Sequence, residues 1–199
     1  MKAQWQHGLL RSSGEAAASA PLVLKIGGSL LSWQEWPSRI EALIAGVGDR
    51  AIAIVVGGGP IVDGLRTIDN ASPQPAHVMH DLAIDAMHLT AQLVCRTTGL
   101  PLTARPRADA SACVLDVPLW LLEGGRSATL PPSWDVTSDS IAARVADEYS
   151  AELLLAKSVP PPANWCGTSL ENLAQSGWVD RHFPTAASGL ERIGWTAPE

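Results

Sequence analysis

Two short apolar runs, each ending in a cluster of glycines that opens onto a helical pattern, constrain this chain more than any other feature. The first is Leu22-Val23-Leu24-Lys25-Ile26, followed by Gly27-Gly28-Ser29. The second is Ala51–Val56, followed by Gly57-Gly58-Gly59-Pro60. Short, near-continuous apolar runs read as strands covered on both faces, as in parallel sheets. After the first loop, Trp36, Ile40, Leu43, Ile44 and Val47 recur at helical spacing, and after the second Ile61–Ile68 reads as a helix with Pro60 at its first turn. Strand–loop–helix units of this kind stack into a parallel sheet. Their loops then fall on one edge, where ligands of open α/β sheets bind.

Glycines at a strand end let the backbone approach a bulky anion closely and leave N–H groups to point at it. Lys25 adds a mobile point charge at the same place. Helix packing alone would also explain such glycines. Two loops thirty positions apart (Gly27 and Gly57), on the same kind of unit, favour a phosphate cradle. Neither loop has the Gly-x-x-x-x-Gly-Lys-Ser/Thr or Gly-x-Gly-x-x-Gly pattern, so a P-loop or a dinucleotide fold is not supported.

The remaining segments add polar chemistry. Ala76–Thr98 reads as one long helix, and its His77, Asp81, Asp85 and His88 share a face. Their spacing matches no metal motif, so the stripe reads as a solvated or pocket-facing one in which Asp81 and Asp85 would complement an amine. Ala112–Leu115 is a short strand, and Glu123–Ser133 is a loop containing Gly124 and Gly125. Trp134–Ser140 packs two carboxylates and three hydroxyls into seven residues. Thr137 or Ser138 caps the helix that continues through Ile141–Tyr149, with Asp139 in its first turn. Glu152–Lys157 is another strand, so Lys25 and Lys157 sit at two strand ends as a clamp for phosphoryl oxygens. Ser169–Ser176 reads as a short helix. The pattern predicts a flexible extension over residues 1–20, one domain over residues 21–199, and a frayed end after a last short helix near Phe183.

Composition narrows the setting. The net charge of −6 disfavours a nucleic-acid partner. Cys95, Cys113 and Cys166 form no Cys-x-x-Cys pair and read as thiols in a reducing compartment. No stretch is long enough to span a membrane, and Gly14 and Glu15 interrupt any signal-like hydrophobic region. The expected location is the cytoplasm.

Together these motifs resemble the amino acid kinase family. Lys25-Ile26-Gly27-Gly28-Ser29 is similar to its first phosphate loop, and Val55-Val56-Gly57-Gly58-Gly59-Pro60 to its second. Thr137-Ser138-Asp139-Ser140-Ile141-Ala142-Ala143 is similar to the segment with the catalytic aspartate, and Leu154-Leu155-Ala156-Lys157 to a nucleotide-side strand. Within the family, Trp134–Ser140, His77–Met87 and Val179–Pro184 resemble the kinase branch of methanofuran biosynthesis, which phosphorylates aminomethyl-furan-methyl phosphate. Where relatives often place Asp-Gly, this chain has Pro160-Pro161-Pro162 after Val159, and its C-terminal part is shorter.

The resemblance implies a three-layer α/β/α sandwich around a mainly parallel sheet, with ATP and Mg²⁺ as cofactors. It implies catalytic roles for Lys25, Asp139 and Lys157. Nucleotide phosphates would meet Lys25, Gly27, Gly28, Ser29, Ser138 and Lys157. The acceptor would meet Gly57, Gly58, Gly59, Asp81 and Asp85, and no resident metal site is implied. It also implies a small phosphorylated substrate, no membrane partner, and a homo-oligomer paired through the long central helix. The alternative is a catalytically weak regulatory or scaffold member of the same fold that still binds nucleotide.

Overall fold

The computed structural model describes residues 5–12, 20–107, 111–123, 130–163, 165 and 168–198. Cys166, Gly124 and Gly125 lie outside the described residues. The strands are β1 (Trp5–Ser12), β2 (Leu22–Ile26), β3 (Ile52–Val56), β4 (Leu102–Thr103), β5 (Ala112–Leu115), β6 (Glu152–Ala156) and β7 (Arg192–Pro198). They form one sheet in the order β1-β7-β6-β2-β3-β5-β4. Every pairing is parallel except β1 with β7. The helices are α1 (Trp36–Gly46), α2 (Gly59–Ala71), α3 (Ala76–Thr98), α4 (Val117–Leu122), α5 (Ser138–Glu148), α6 (Leu170–Gln175) and α7 (Phe183–Ala186).

Both faces of the sheet are covered, as the apolar runs require. Successive strand residues point to opposite faces, so each run divides between two cores. Leu22, Leu24, Ile26, Ile52, Ile54 and Val56 pack on one side with Ile40 and Leu43 of α1 and Ala91 and Val94 of α3. Val23, Ala53, Val55, Leu153 and Leu155 pack on the other with Ile141, Ala142 and Val145 of α5, together with Trp120 and Phe183. This is the expected three-layer arrangement around a mainly parallel sheet. None of the described helices is long and apolar enough to cross a membrane.

The two ends of the chain differ from the sequence reading. Residues 1–20 read as a flexible extension and the last segment as frayed, yet Trp5–Ser12 and Arg192–Pro198 pair as antiparallel strands. Their pairing is held by long-range contacts that no local pattern announces. Trp5 lies opposite Pro198 and Gly8 opposite Trp195, where a Cβ on residue 8 would stand 2.2 Å from the indole nitrogen. The Thr196 hydroxyl donates to the Gln6 carbonyl (2.9 Å), and the Arg11 guanidinium donates to the Ala187 carbonyl (2.9 Å). Ile193, Trp195 and Ala197 of β7 are buried, so that strand belongs to the core.

Candidate active site

Strand parity brings the charged groups together. Lys25 lies on the same face of β2 as Val23, toward α5. Lys157, just past β6, follows Leu153 and Leu155 on that same face. Between them stands Asp139, in the first turn of α5. Lys25 Nζ is 2.8 Å from Asp139 Oδ1, and Lys157 Nζ donates to Asp139 Oδ2 at 2.6 Å. The Lys25 contact is an ion pair rather than a well-aligned hydrogen bond, since Oδ1 has no bond of ideal geometry. Lys157 Nζ also donates to the Trp178 carbonyl (2.7 Å) and lies 5.0 Å from the centre of that indole ring.

Lys25 and Asp139 are buried and the Lys157 side chain is 14% exposed. Burial alone would raise the Asp139 pKa. The Lys157 and Lys25 charges outweigh it and hold the carboxyl well below the usual carboxylate range. Burial pushes the Lys157 ammonium below the usual lysine range, with Asp139 pulling the other way. The chain has three lysines in all, and two of them meet at this carboxylate.

The helix bearing Asp139 starts where the sequence placed it. Thr137 is the N-cap, and its hydroxyl oxygen accepts the Asp139 N–H at 3.3 Å. Asp180 completes the turn, accepting from the Thr137 amide (2.9 Å) and the Ser140 amide (3.0 Å).

The two glycine loops lie backbone against backbone. A Cβ on Gly28 would fall 2.1 Å from the Gly59 nitrogen, and one on Gly59 would fall 2.5 Å from the Gly28 oxygen. Gly59 also has φ +54°, in the left-handed region that glycine tolerates. Gly57 faces the Ser138 hydroxyl, and Gly58 packs against Val62 of its own helix. The amides of Gly27 and Gly57 continue the sheet, donating to Ala156 (2.8 Å) and Ile26 (2.9 Å) carbonyls. Those two N–H groups are therefore engaged within the fold, and the Ser29 hydroxyl donates to Ser158 (3.1 Å). Gly28→Ala is expected to destabilise the protein by about 1–3 kcal/mol, because rigid backbone rather than a flexible side-chain end receives the methyl. Urea unfolding of the variant checks this, and a midpoint equal to wild type contradicts it.

A cavity of about 190 Å³ opens over these loops, lined by Gly28, Gly57, Gly58, Gly59 and Ser138. Arg66, His80 and Trp134 also line it, and sequence reasoning assigned none of them a role there. Arg66 pairs with Asp63 (3.0 Å) and lies 5.0 Å from the Trp134 ring centre, while the Trp134 indole N–H donates to Asp69 (2.8 Å). One signal was present: Arg66 stands seven residues after Gly59, two turns along the same helix face.

The acidic residues of α3 occupy a different place. Asp81 and Asp85 are exposed and line a neighbouring groove of about 430 Å³ with His77, which shares only His80 and Ile84 with the glycine cavity. His88 leaves the stripe, since its Nδ1 lies 3.1 Å from Asp116. No group of side chains suited to hold a metal ion occurs among the described residues.

The arrangement is one of amide-rich loops and paired cations at the carboxyl edge of a parallel sheet. Residues 20–111 match the model of the amino acid kinase family. Two crystal structures share the amino acid kinase fold with most of the chain. Uridylate kinase from Archaeoglobus fulgidus superposes with a TM-score of 0.55 at 19% identity, covering 86% of this chain and 89% of that one. Aspartate kinase from Synechocystis gives a TM-score of 0.54 at 16% identity, covering 89% of this chain but 40% of that one. No curated protein matches in sequence. The family match includes Lys25 and both glycine loops and ends before Asp139 and Lys157, which join the site through the fold.

Proposed function

We propose that this chain is an ATP-dependent small-molecule kinase that transfers the γ-phosphoryl group to an anionic acceptor, a phosphate or a carboxylate. The observation that carries the reading is the buried Lys25–Asp139–Lys157 cluster, set beside two glycine loops on one sheet edge. Phosphoryl transfer demands positioning and neutralisation of charge on the transferring group, with little need for an acid or base. An acceptor phosphate is already an oxyanion at neutral pH, so its oxygen forms the new P–O bond as the bond to the β-phosphate oxygen breaks.

The chain's residues divide the work. Asp139 holds both ammonium groups in register. Lys25 and Lys157 stabilise the negative oxygens around the reacting phosphorus. Gly28 and the Ser29 hydroxyl face the donor phosphates, and Gly58 and Gly59, with Arg66 nearby, face the acceptor anion. This donor set suits a nucleotide triphosphate. Both Asp139 oxygens are engaged by lysines, so Mg²⁺ would be held largely by the phosphates themselves, as this ion commonly is.

For the acceptor, the resemblance to the methanofuran branch supports aminomethyl-furan-methyl phosphate or a close analogue. Its phosphate would lie at the Gly57–Gly59 loop and its amine in the adjoining groove near Asp81 and Asp85. Asp81→Asn and Asp85→Asn are expected to raise KM for that compound about 10-fold with kcat little changed. An unchanged KM removes the amine contact.

Calorimetry with ATP and Mg²⁺ tests the kinase reading first. Wild type is expected to bind, and Lys25→Ala to bind at least about 10-fold more weakly through loss of a charge-assisted contact. No heat of binding to wild type overturns the reading. ³¹P NMR of ATP mixed with the furan phosphate then reports transfer directly.

A further inference from the structure

The α5 N-terminus is held by a residue far beyond the matched family segment. The Asp180 carboxylate accepts from the Thr137 amide (2.9 Å), the Thr137 hydroxyl (2.8 Å), the Ser140 amide (3.0 Å) and the Ser140 hydroxyl. The His182 amide donates to it as well (3.1 Å). The same short segment supplies Trp178, whose carbonyl accepts from Lys157 and whose ring lies beside that ammonium.

We propose that Asp180 is a positioning residue for the phosphoryl-transfer site: it pins the Thr137–Ser140 turn so that Asp139 bridges Lys25 and Lys157.

The physical case has three parts. The first turn of a helix leaves backbone N–H groups without partners and so attracts anions. Here Asp180 fills that place from within the protein, which leaves phosphate binding to the glycine loops. Next, the connection to Asp139 is short. Thr137 Oγ1 donates to Asp180 and accepts from the Asp139 amide, so the carboxylate that meets both lysines hangs on the cap that Asp180 fixes. Last, Trp178 and Asp180 lie in one segment. It fixes Lys157 through the Trp178 carbonyl and Asp139 through the cap, and so sets the distance between the two. Small displacements matter at such a site, because reacting groups must be held in near-attack geometry. Asp180 forms an ion pair with neither lysine; its charge is felt directly at Lys157, and it reaches Asp139 and Lys25 through Thr137 and Ser140.

The kinase reading enters this inference only through the turnover measurement. The first readout needs no ligand. With Lys2, Lys25 and Lys157 as the chain's lysines, ¹³Cε-lysine labelling gives a spectrum with few signals, assigned by single Lys→Arg changes. Asp180→Asn is expected to shift the Lys25 signal, which is the deciding one because the lost charge alone moves Lys157, and to leave Lys2 in place. It is also expected to lower kcat about 10- to 100-fold, the range for outer-shell partners of a reactive site, with KM for ATP changed less than about threefold. Ser140→Ala removes one hydroxyl donor, keeps the carboxylate, and should move the same signals less. It carries the test if Asp180→Asn does not fold. An unmoved Lys25 signal in the folded variant overturns the proposal, whatever Lys157 does. A moved Lys25 signal in a chain whose wild type shows no transfer upholds the positioning and overturns the kinase reading instead.

Discussion

Asp139→Asn is expected to lower the unfolding free energy at neutral pH by about 3–5 kcal/mol, the loss that follows when one partner of a buried ion pair is removed. The substitution keeps size and shape but leaves two ammonium groups converging on a neutral amide. One of them, Lys25, has a side chain only 6% exposed, so water does little to replace the lost charge. The pH dependence gives the claim a sign. The Asp139 carboxyl lies below its usual range in the folded protein, so its stabilisation is fully present above the ordinary carboxylate pKa, near about pH 4. It is lost as pH falls further, through the depressed value. The gap between wild type and Asp139→Asn should therefore be constant from neutral pH down to about 4 and narrow below it. Urea unfolding at several pH values, followed by tryptophan fluorescence, measures this. A gap under about 1 kcal/mol at neutral pH would mean the pair behaves like an exposed one.

Lys157→Met should leave a folded protein whose turnover is lower by about 10²–10³-fold, the usual effect of removing one preorganised electrostatic contact to a transition state. Methionine keeps an apolar stem against Trp178 and removes the charge. Stability is expected to change less than in Asp139→Asn, because Asp139 keeps Lys25 and because burial already disfavours the Lys157 cation. Lys157→Arg is expected to fail as well. A compact ammonium fits between Asp139 Oδ2 at 2.6 Å and the Trp178 carbonyl at 2.7 Å, and a planar guanidinium does not match those two acceptors. A coupled assay for ADP formation decides the matter, and turnover within about threefold of wild type would remove Lys157 from the transition state.

Much of this was legible in the chain because the relevant signals are local. The runs Leu22–Ile26 and Ala51–Val56 are too apolar for half-exposed strands, and the glycines after them mark where the sheet edge must be. Asp139 was legible because a helix start has a signature in Thr137 and the carboxylate that follows. Lys25 and Lys157 were legible as lysines at two strand ends, and the register of β2 with β6, Lys25 opposite Leu155, sets them on one face. What escaped the sequence depends on distant partners. β1 is half-exposed, with an irregular pattern and a register shift between Leu9 and Arg11, and it exists because β7 offers an edge. Asp180 stands in the Val179–Pro184 segment without a role until Thr137 and Ser140 are seen to converge on it. Asp81 and Asp85 share a helix face by spacing and suit an amine by charge, but spacing does not say which groove that face meets, and the packing around α3 sets it beside the glycine cavity.

The contact between Gly28 and Gly59 limits how the site can be altered by substitution. Elsewhere a larger side chain on one element can be accommodated by a smaller one opposite. Here both partners have already given up their side chains, and neither has anything left to yield. Any attempt to redesign the protein for a new donor or acceptor must therefore leave this pair alone. It must work through the surrounding positions, of which Arg66, His80 and Trp134 line the cavity with side chains rather than backbone.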